Sequence, residues 1–193
     1  MNNYRKFLEN KGYDVSEQWS EFEQRVTYHK FAKNEIIVAP GNLEANIYIL
    51  ETGCIRYFLI EDGKEYTHDI LKAPSAFGSK LGISPNEVSN VYIQALTNSD
   101  IYILHSKDHE YLSENYQGFR EIGERSFAET MKARVIHGRK IVMMTPEERY
   151  TDFLENNPEL VNLVPQYIIA SYLGIVPESL SRVRKRIYKK DSR

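Results

Sequence analysis

The stretch PQYIIASYLGIVPESLSRVRKRI, residues 165–187, decides the fold of the C-terminal part. Residues 165–173 predict a short helix that stops at Gly174, and Pro177 opens a second helix running toward Lys189. Ala170 is small where two helices must approach closely. Ile169, Leu173, Ile175, Leu180, Val183 and Ile187 supply apolar contacts. Two short helices about a glycine turn are the grammar of a helix-turn-helix, whose second helix enters a major groove by its first turns. The side chains suit that task. Arg182 can give two hydrogen bonds to guanine, and Glu178 can accept one from cytosine. Ser179 and Ser181 are short donors suited to phosphates. Arg184, Lys185, Arg186 and Lys189 add attraction that does not depend on sequence. The bland alternative is a solvated basic helix in an ordinary α domain.

Charge follows the same division. Residues 1–133 hold 14 Lys/Arg against 20 Asp/Glu, whereas residues 134–193 hold 11 against 7. The net charge of −2 therefore conceals an acidic body with a basic end, and a basic end can meet a polyanion.

Moving upstream, Thr145-Pro146-Glu147-Glu148 is a helix start, with a capping threonine, proline at the first position and acids at the positive end. That helix is expected to run to about Asn156, before Pro158. Only 157–164 lies between it and the next helix, which leaves room for a short turn but little for a wing hairpin. Residues 117–143 contain no proline and predict one helix of roughly 40 Å, interrupted in propensity by Gly123 and Gly138. Phe119, Ile122, Phe127, Met131, Val135 and Val142 give it an apolar stripe too long for one chain to cover, which suggests dimerisation.

Between about 35 and 105 the period changes. Residues 35–39, 46–50, 54–60, 64–71, 91–96 and 100–105 read as short strands separated by turn residues, the pattern of an antiparallel sandwich or barrel. Residues 72–90, rich in Ala, Pro, Ser, Gly and Asn, read as a long loop of the kind that often carries function. At the start, 3–11 and 15–28 read as helices, the second on Val15, Trp19, Phe22 and Val26.

Several classes fall away. At 193 residues, 41% hydrophobic and 27% charged, the chain can bury a core and is not disordered as a whole. No apolar run is long enough to span a bilayer, and the charged first residues do not read as a signal peptide, so the cytoplasm is the expected location and no membrane partner is expected. Cys54 is the only cysteine, which excludes an internal disulfide or a Cys-rich metal site. No Gly-rich phosphate loop, Gly-x-Ser-x-Gly or His-Glu-x-x-His occurs, and Asp69 beside His68 on a strand points to the opposite face. The chain does not read as an enzyme.

The motifs at Glu147–Tyr150, Phe153-Leu154, Pro165–Tyr167, Ala170–Ile175 and Pro177–Arg182, with glycines at Gly41, Gly53 and Gly78, resemble the Crp/Fnr family of bacterial transcription regulators over roughly residues 29–190. The resemblance implies an α+β chain with an N-terminal double-stranded β-roll at 1–116, a dimerisation helix at 117–143 and a helix-turn-helix domain at 144–193. It implies a homodimer on double-stranded DNA at a two-fold symmetric operator, with RNA polymerase as a further partner. Pro177, Glu178, Ser179, Ser181, Arg182, Lys185 and Arg186 are the implied DNA-binding residues. Pro177 stands where the family often has a basic residue.

Cyclic-nucleotide binders of this family place a Glu for the ribose and an Arg for the phosphate in the loop after Phe-Gly. Those positions are Ser79 and Ser89 here, so cAMP is not the expected effector, and no cofactor is assigned. The effector pocket implied by position comprises Phe77, Gly78, Ser79, Lys80, Leu81, Ser89, Asn90, Tyr92, Thr130 and Arg134. The ordinary readings are a solvated loop lysine for Lys80 and a surface salt bridge, to Glu129 or a similar acid, for Arg134. Heme ligation by His29, His68, His105, His109 or His137 has little support, because even the pair at 105 and 109 need not converge. The rival reading for the chain is a β-roll protein that binds a small molecule or a partner and whose C-terminal helices merely pack.

Overall fold

A computed structural model describes residues 1–41, 45–78 and 91–191, with side chains of the last helix to Ile187. Two helices, α1 (Asn2–Asn10) and α2 (Trp19–Arg25), precede the strands β1 (Val26–Phe31), β2 (Ile36–Val38), β3 (Ile47–Thr52), β4 (Cys54–Glu61), β5 (Lys64–Lys72), β6 (Ser75–Gly78), β7 (Tyr92–Ala95) and β8 (Ser99–Leu104). The helices α3 (Ser106–Asn115), α4 (Gln117–Met143), α5 (Pro146–Asn156), the single turn α6 (Leu160–Leu163), α7 (Gln166–Tyr172) and α8 (Pro177–Asp191) complete the chain.

The strands form two four-stranded antiparallel sheets, β1-β8-β3-β6 and β2-β7-β4-β5. Alternation decides which residues face inward. Leu50, Ile55, Tyr57, Val91, Ile93 and Ile101 are buried in the core between the sheets. The chain crosses from β3 to β4 at Gly53, where φ is +99° and a Cβ would stand 2.2 Å from Ser99 Oγ. Only glycine allows β8 to lie this close to the turn.

Two further cores flank the roll. Ile49 and Leu104 of the first sheet meet Trp19, Phe22, Leu112 and Ile122 of α2, α3 and α4. Cys54, Ile70 and Leu96, on the second sheet's side, share a core with Tyr150, Phe153, Ile169, Leu173, Leu180 and Val183 of α5, α7 and α8. Arg56 is buried on that sheet, where it donates to Gln94 Oε1 at 2.8 Å and pairs with Glu65 at 2.6 Å. These partners offset the cost of taking the guanidinium out of water. Burial pushes the Cys54 thiol up to about 12, so the lone cysteine is a core residue and not a reactive one.

Three sequence expectations change. The helix expected over 15–28 shrinks to α2. Ser16 bonds back to Asp14 Oδ1 in a turn, and Val26 to Phe31 pair with Leu104 to Ser99 as a strand, so cross-strand pairing overrides the helical period. The stretch read as loop over 72–90 contains β6, which pairs with β3 from Leu50–Ser75 to Ile47–Gly78. The apolar stripe of α4 is split. Phe119 and Ile122 turn into the body, whereas Phe127, Val135 and Val142 are 60%, 64% and 84% exposed. At 3.6 residues per turn, positions 122 and 135 face nearly opposite directions. Gly123 and Gly138 do not interrupt the helix.

Candidate nucleic-acid interface and the groove beneath the long helix

The C-terminal helices are fixed from their ends inward. Thr145 caps α5 in a full capping box with Glu148, and Pro146 occupies the first turn. The backbone bond lowers the pKa of Glu148, whose carboxylate accepts from the Thr145 N–H at 2.7 Å. Arg149 is buried and donates to the Ile141 carbonyl at 3.4 Å near the C-terminal end of α4, where a cation is favoured. Gly174, at φ +64°, turns the chain between α7 and α8, and a Cβ there would stand only 3.3 Å from Arg149 Nη1. The Ile175 N–H donates to the Ala170 carbonyl at 3.0 Å, closing the turn over the small, fully buried Ala170.

α8 buries Leu180 and Val183 and thereby turns its other face outward. Pro177, Glu178, Ser181, Arg182, Lys185 and Arg186 are exposed on it, and Ser179 is half-buried. Positions 178, 182 and 185 stand one turn apart and share a line along the helix. Arg182 donates to Ser179 Oγ at 3.1 Å, which holds the guanidinium along the first turns. Arg186 stands 3.5 Å from Glu147 of α5 and is partly engaged within the chain. Tyr167, in the first turn of α7, is 54% exposed.

The inner side of α7 meets the roll. The Thr67 N–H of β5 donates to Ser171 Oγ at 2.8 Å, and Ser171 Oγ donates to the Glu65 carbonyl at 3.2 Å. A bulge places His68 as the extra residue of β5 in this region, between the Tyr57–Asp69 and Phe58–Thr67 pairs. His137 of α4 stacks on Tyr172 with centroids 4.3 Å apart. Burial, then the neighbouring Arg134, lowers the pKa of His68, and burial lowers that of His137. Lys72 pairs with Glu159 across the same junction.

Beneath α4 lies a groove of about 870 Å³, bounded by α1, α2, the long helix and the β6 side of the roll. Of the pocket residues expected from sequence, Phe77, Gly78, Thr130 and Arg134 line it. Tyr92 does not; it stacks on Phe58 with centroids 4.8 Å apart. Ser79, Lys80, Leu81, Ser89 and Asn90 lie outside the described residues. Among the described residues the surface pair expected for Arg134 is not formed, since Glu129 pairs with Lys11 and Arg134 lies half-buried near Asp69. Desolvation pushes the Asp69 carboxyl up to about 6, against the opposing pull of Arg134. The Thr130 hydroxyl donates to the Ser126 carbonyl at 2.9 Å. His109 lies against Phe119, and among the described residues no group of His, Cys, Asp and Glu could hold a metal ion. Among them, too, no helix is long and apolar enough to cross a membrane.

Residues 28–116 match the family model of the cyclic nucleotide-binding domain. No curated protein matches the chain. Among solved structures, a CooA variant from Carboxydothermus hydrogenoformans is 18% identical, with a TM-score of 0.74 over 98% of this chain and 85% of that one. FixK2 from Bradyrhizobium japonicum is 18% identical, with a TM-score of 0.74 over 86% of each chain. A protein from Eubacterium rectale described as a transcriptional regulator of the Crp/Fnr family is 16% identical, with a TM-score of 0.70 over 95% of this chain and 87% of that one. At such identities the likeness is one of fold. Residues 28–116 thus match the cyclic nucleotide-binding domain, and the whole chain shares the α+β fold of these solved structures: an antiparallel β-roll, a long helix and a C-terminal helix-turn-helix.

Proposed function

We propose that this chain is a DNA-binding transcription regulator and not an enzyme. It works as a homodimer on a two-fold symmetric operator, with a sensor at 1–116, a dimerisation helix at 117–143 and a DNA-binding domain at 144–193. The observation that carries the reading is the outward face of α8, where Glu178, Ser181, Arg182 and Lys185 stand exposed above the buried Leu180 and Val183. Arg182 and Glu178 read base edges, Ser179 and Ser181 meet phosphates, and Lys185 and Arg186 supply charge. The exposed Phe127, Val135 and Val142 of α4 support pairing with a second copy, which would set two α8 helices about one turn of DNA (~34 Å) apart. The groove beneath α4 is the effector site, and its ligand is not cAMP, because serines stand at positions 79 and 89 where the family's ribose and phosphate partners are Glu and Arg.

Selection from a randomised duplex pool at near-physiological salt, without nucleotide, tests this. Enrichment of a two-fold symmetric site is expected, and Arg182→Ala should cost ~1–3 kcal/mol at one base position. Equal loss on all sequences would make Arg182 a phosphate contact. Absence of any enriched site, with or without added cAMP, would leave the C-terminal helices as packing elements of a small-molecule binding protein.

A further inference from the structure

We propose that His137 makes the seating of the C-terminal helices on the roll sensitive to pH: the neutral ring holds α4 against α7, and its protonation loosens the joint. This goes beyond the regulator reading and does not need it.

The C-terminal helices seat as one body. α5, α7 and α8 share a core with Cys54, Ile70 and Leu96 of the roll. His137 stands where the long helix meets that body. Its ring lies on Tyr172 of α7, with centroids 4.3 Å apart and an angle of 16° between the planes. Tyr172 in turn packs on Phe153 of α5, with centroids 6.0 Å apart. His137 and Tyr172 are both half-buried. A ring placed this way loses water when the helices seat and regains it on release. Its charged form loses more by this than its neutral form.

The groups around the ring decide the sign. On α4 itself, Arg134 and Lys140 stand one turn before and one turn after it. From α5 come the buried Arg149 and the half-buried Asp152, from α7 Tyr172, and from β5 His68 and Asp69. Both carboxyl groups already have a cation: Asp152 accepts from Lys140 Nζ at 2.6 Å, and Asp69 is coupled to Arg134. The backbone of Tyr172 and the charge of Asp152 favour an imidazolium, but burial outweighs them, and Lys140 and Arg149 add to it. The seated state therefore holds the His137 proton less tightly than the released state. Its advantage is complete above the free histidine value near ~6.5 and is lost as pH falls below that value. Asp69 acts with the opposite sign, since its carboxyl is pushed up to about 6. It masks part of the effect, and Asp69→Asn removes the mask. His68 is exposed and ranks second to His137.

The Thr67 N–H, which donates to Ser171 Oγ across the joint, reports release. Its exchange, divided by the intrinsic rate at each pH, gives an opening constant, and Ile55 in the core of the roll gives the global one. In full-length D69N, opening at Thr67 is expected to be several-fold greater at about pH 5.5 than at about pH 7.5. The change at Ile55 should be smaller, and wild type should show a shallower rise at Thr67. D69N carrying His137→Phe, which keeps an aromatic ring for Tyr172 but takes no proton, should stay flat. D69N carrying His68→Gln should keep the rise. A flat D69N, a rise that survives H137F or vanishes with H68Q, or an equal rise at Ile55 would each overturn the proposal. Ring-proton NMR of wild type needs no variant. His137 should titrate below the ordinary histidine value, and a value at or above it would overturn the proposal even where H137F does not fold.

Discussion

Replacing Ser171 by alanine removes one hydroxyl that serves two backbone groups 104 and 106 residues away. The costs are unequal. Glu65 is exposed, so water can replace the hydroxyl at its carbonyl at little cost. Thr67 is buried, and its N–H, now bonded at 2.8 Å, would be stranded while α7 stays in place. A stranded buried donor costs ~1–3 kcal/mol, so S171A should lose ~1–2 kcal/mol once partial hydration is allowed. That shifts any equilibrium between docked and undocked C-terminal helices by a factor of about 5–30. The assay is amide exchange at Thr67, alongside a urea melt of the whole chain. Faster exchange at Thr67, larger than the change at Ile55 in the core of the roll, is the expected result. Unchanged exchange at Thr67 would refute the reasoning, since its donor would then be protected by something other than Ser171. So would an equal rise at Ile55, which would mean global destabilisation and not local release.

Two further outcomes follow from buried geometry. Gly53→Ala should cost ~2–5 kcal/mol by urea midpoint, from the positive φ and the Cβ placed 2.2 Å from Ser99 Oγ and 2.8 Å from the Asn98 carbonyl; a cost under about 1 kcal/mol would mean that the turn relocates freely. For Asp69, folding raises the pKa to about 6, so the folded state holds the proton more tightly than the unfolded one. The stabilisation is complete below the unfolded value near ~3.9 and is lost as pH rises through about 6. Asp69→Asn, which keeps an oxygen for the Ile70 N–H, should therefore gain on wild type as pH goes from 4.5 to 7.5; a constant difference between the two melts would refute the assignment.

What the sequence made legible was local. The capping box at Thr145, the turn at Gly174 and the outward face of α8 are written in residues at most a few positions apart, and periodicity suffices to read them. Where the decisive partner lies far along the chain, reading failed. Val26 to Phe31 are a strand because β8 is available, and no window around residue 28 contains that fact. Four residues of β6 carry too little pattern to rise above the alanine, proline and glycine around them. The stripe on α4 misled because apolar residues serve two surfaces in turn, its own body near Ile122 and solvent near Val142. Arg134 lines the groove, but its neighbour was not foreseeable, since Asp69 comes near it only through the closure of the roll. Ser171 gave no sign at all of its bond to β5.

That bond has a consequence for the behaviour of the protein as a material. β5 is the last strand of its sheet, and a strand with free backbone groups is a template on which another chain can grow. Ser171 covers Glu65 and Thr67 with a hydroxyl, while the charges of Lys64 and Glu65 and the bulge at His68 discourage pairing on the rest. The same small contact that seats the C-terminal helices therefore also keeps copies of the chain from joining side by side. Conditions that free α7 from the roll should be conditions under which the protein begins to aggregate through this strand.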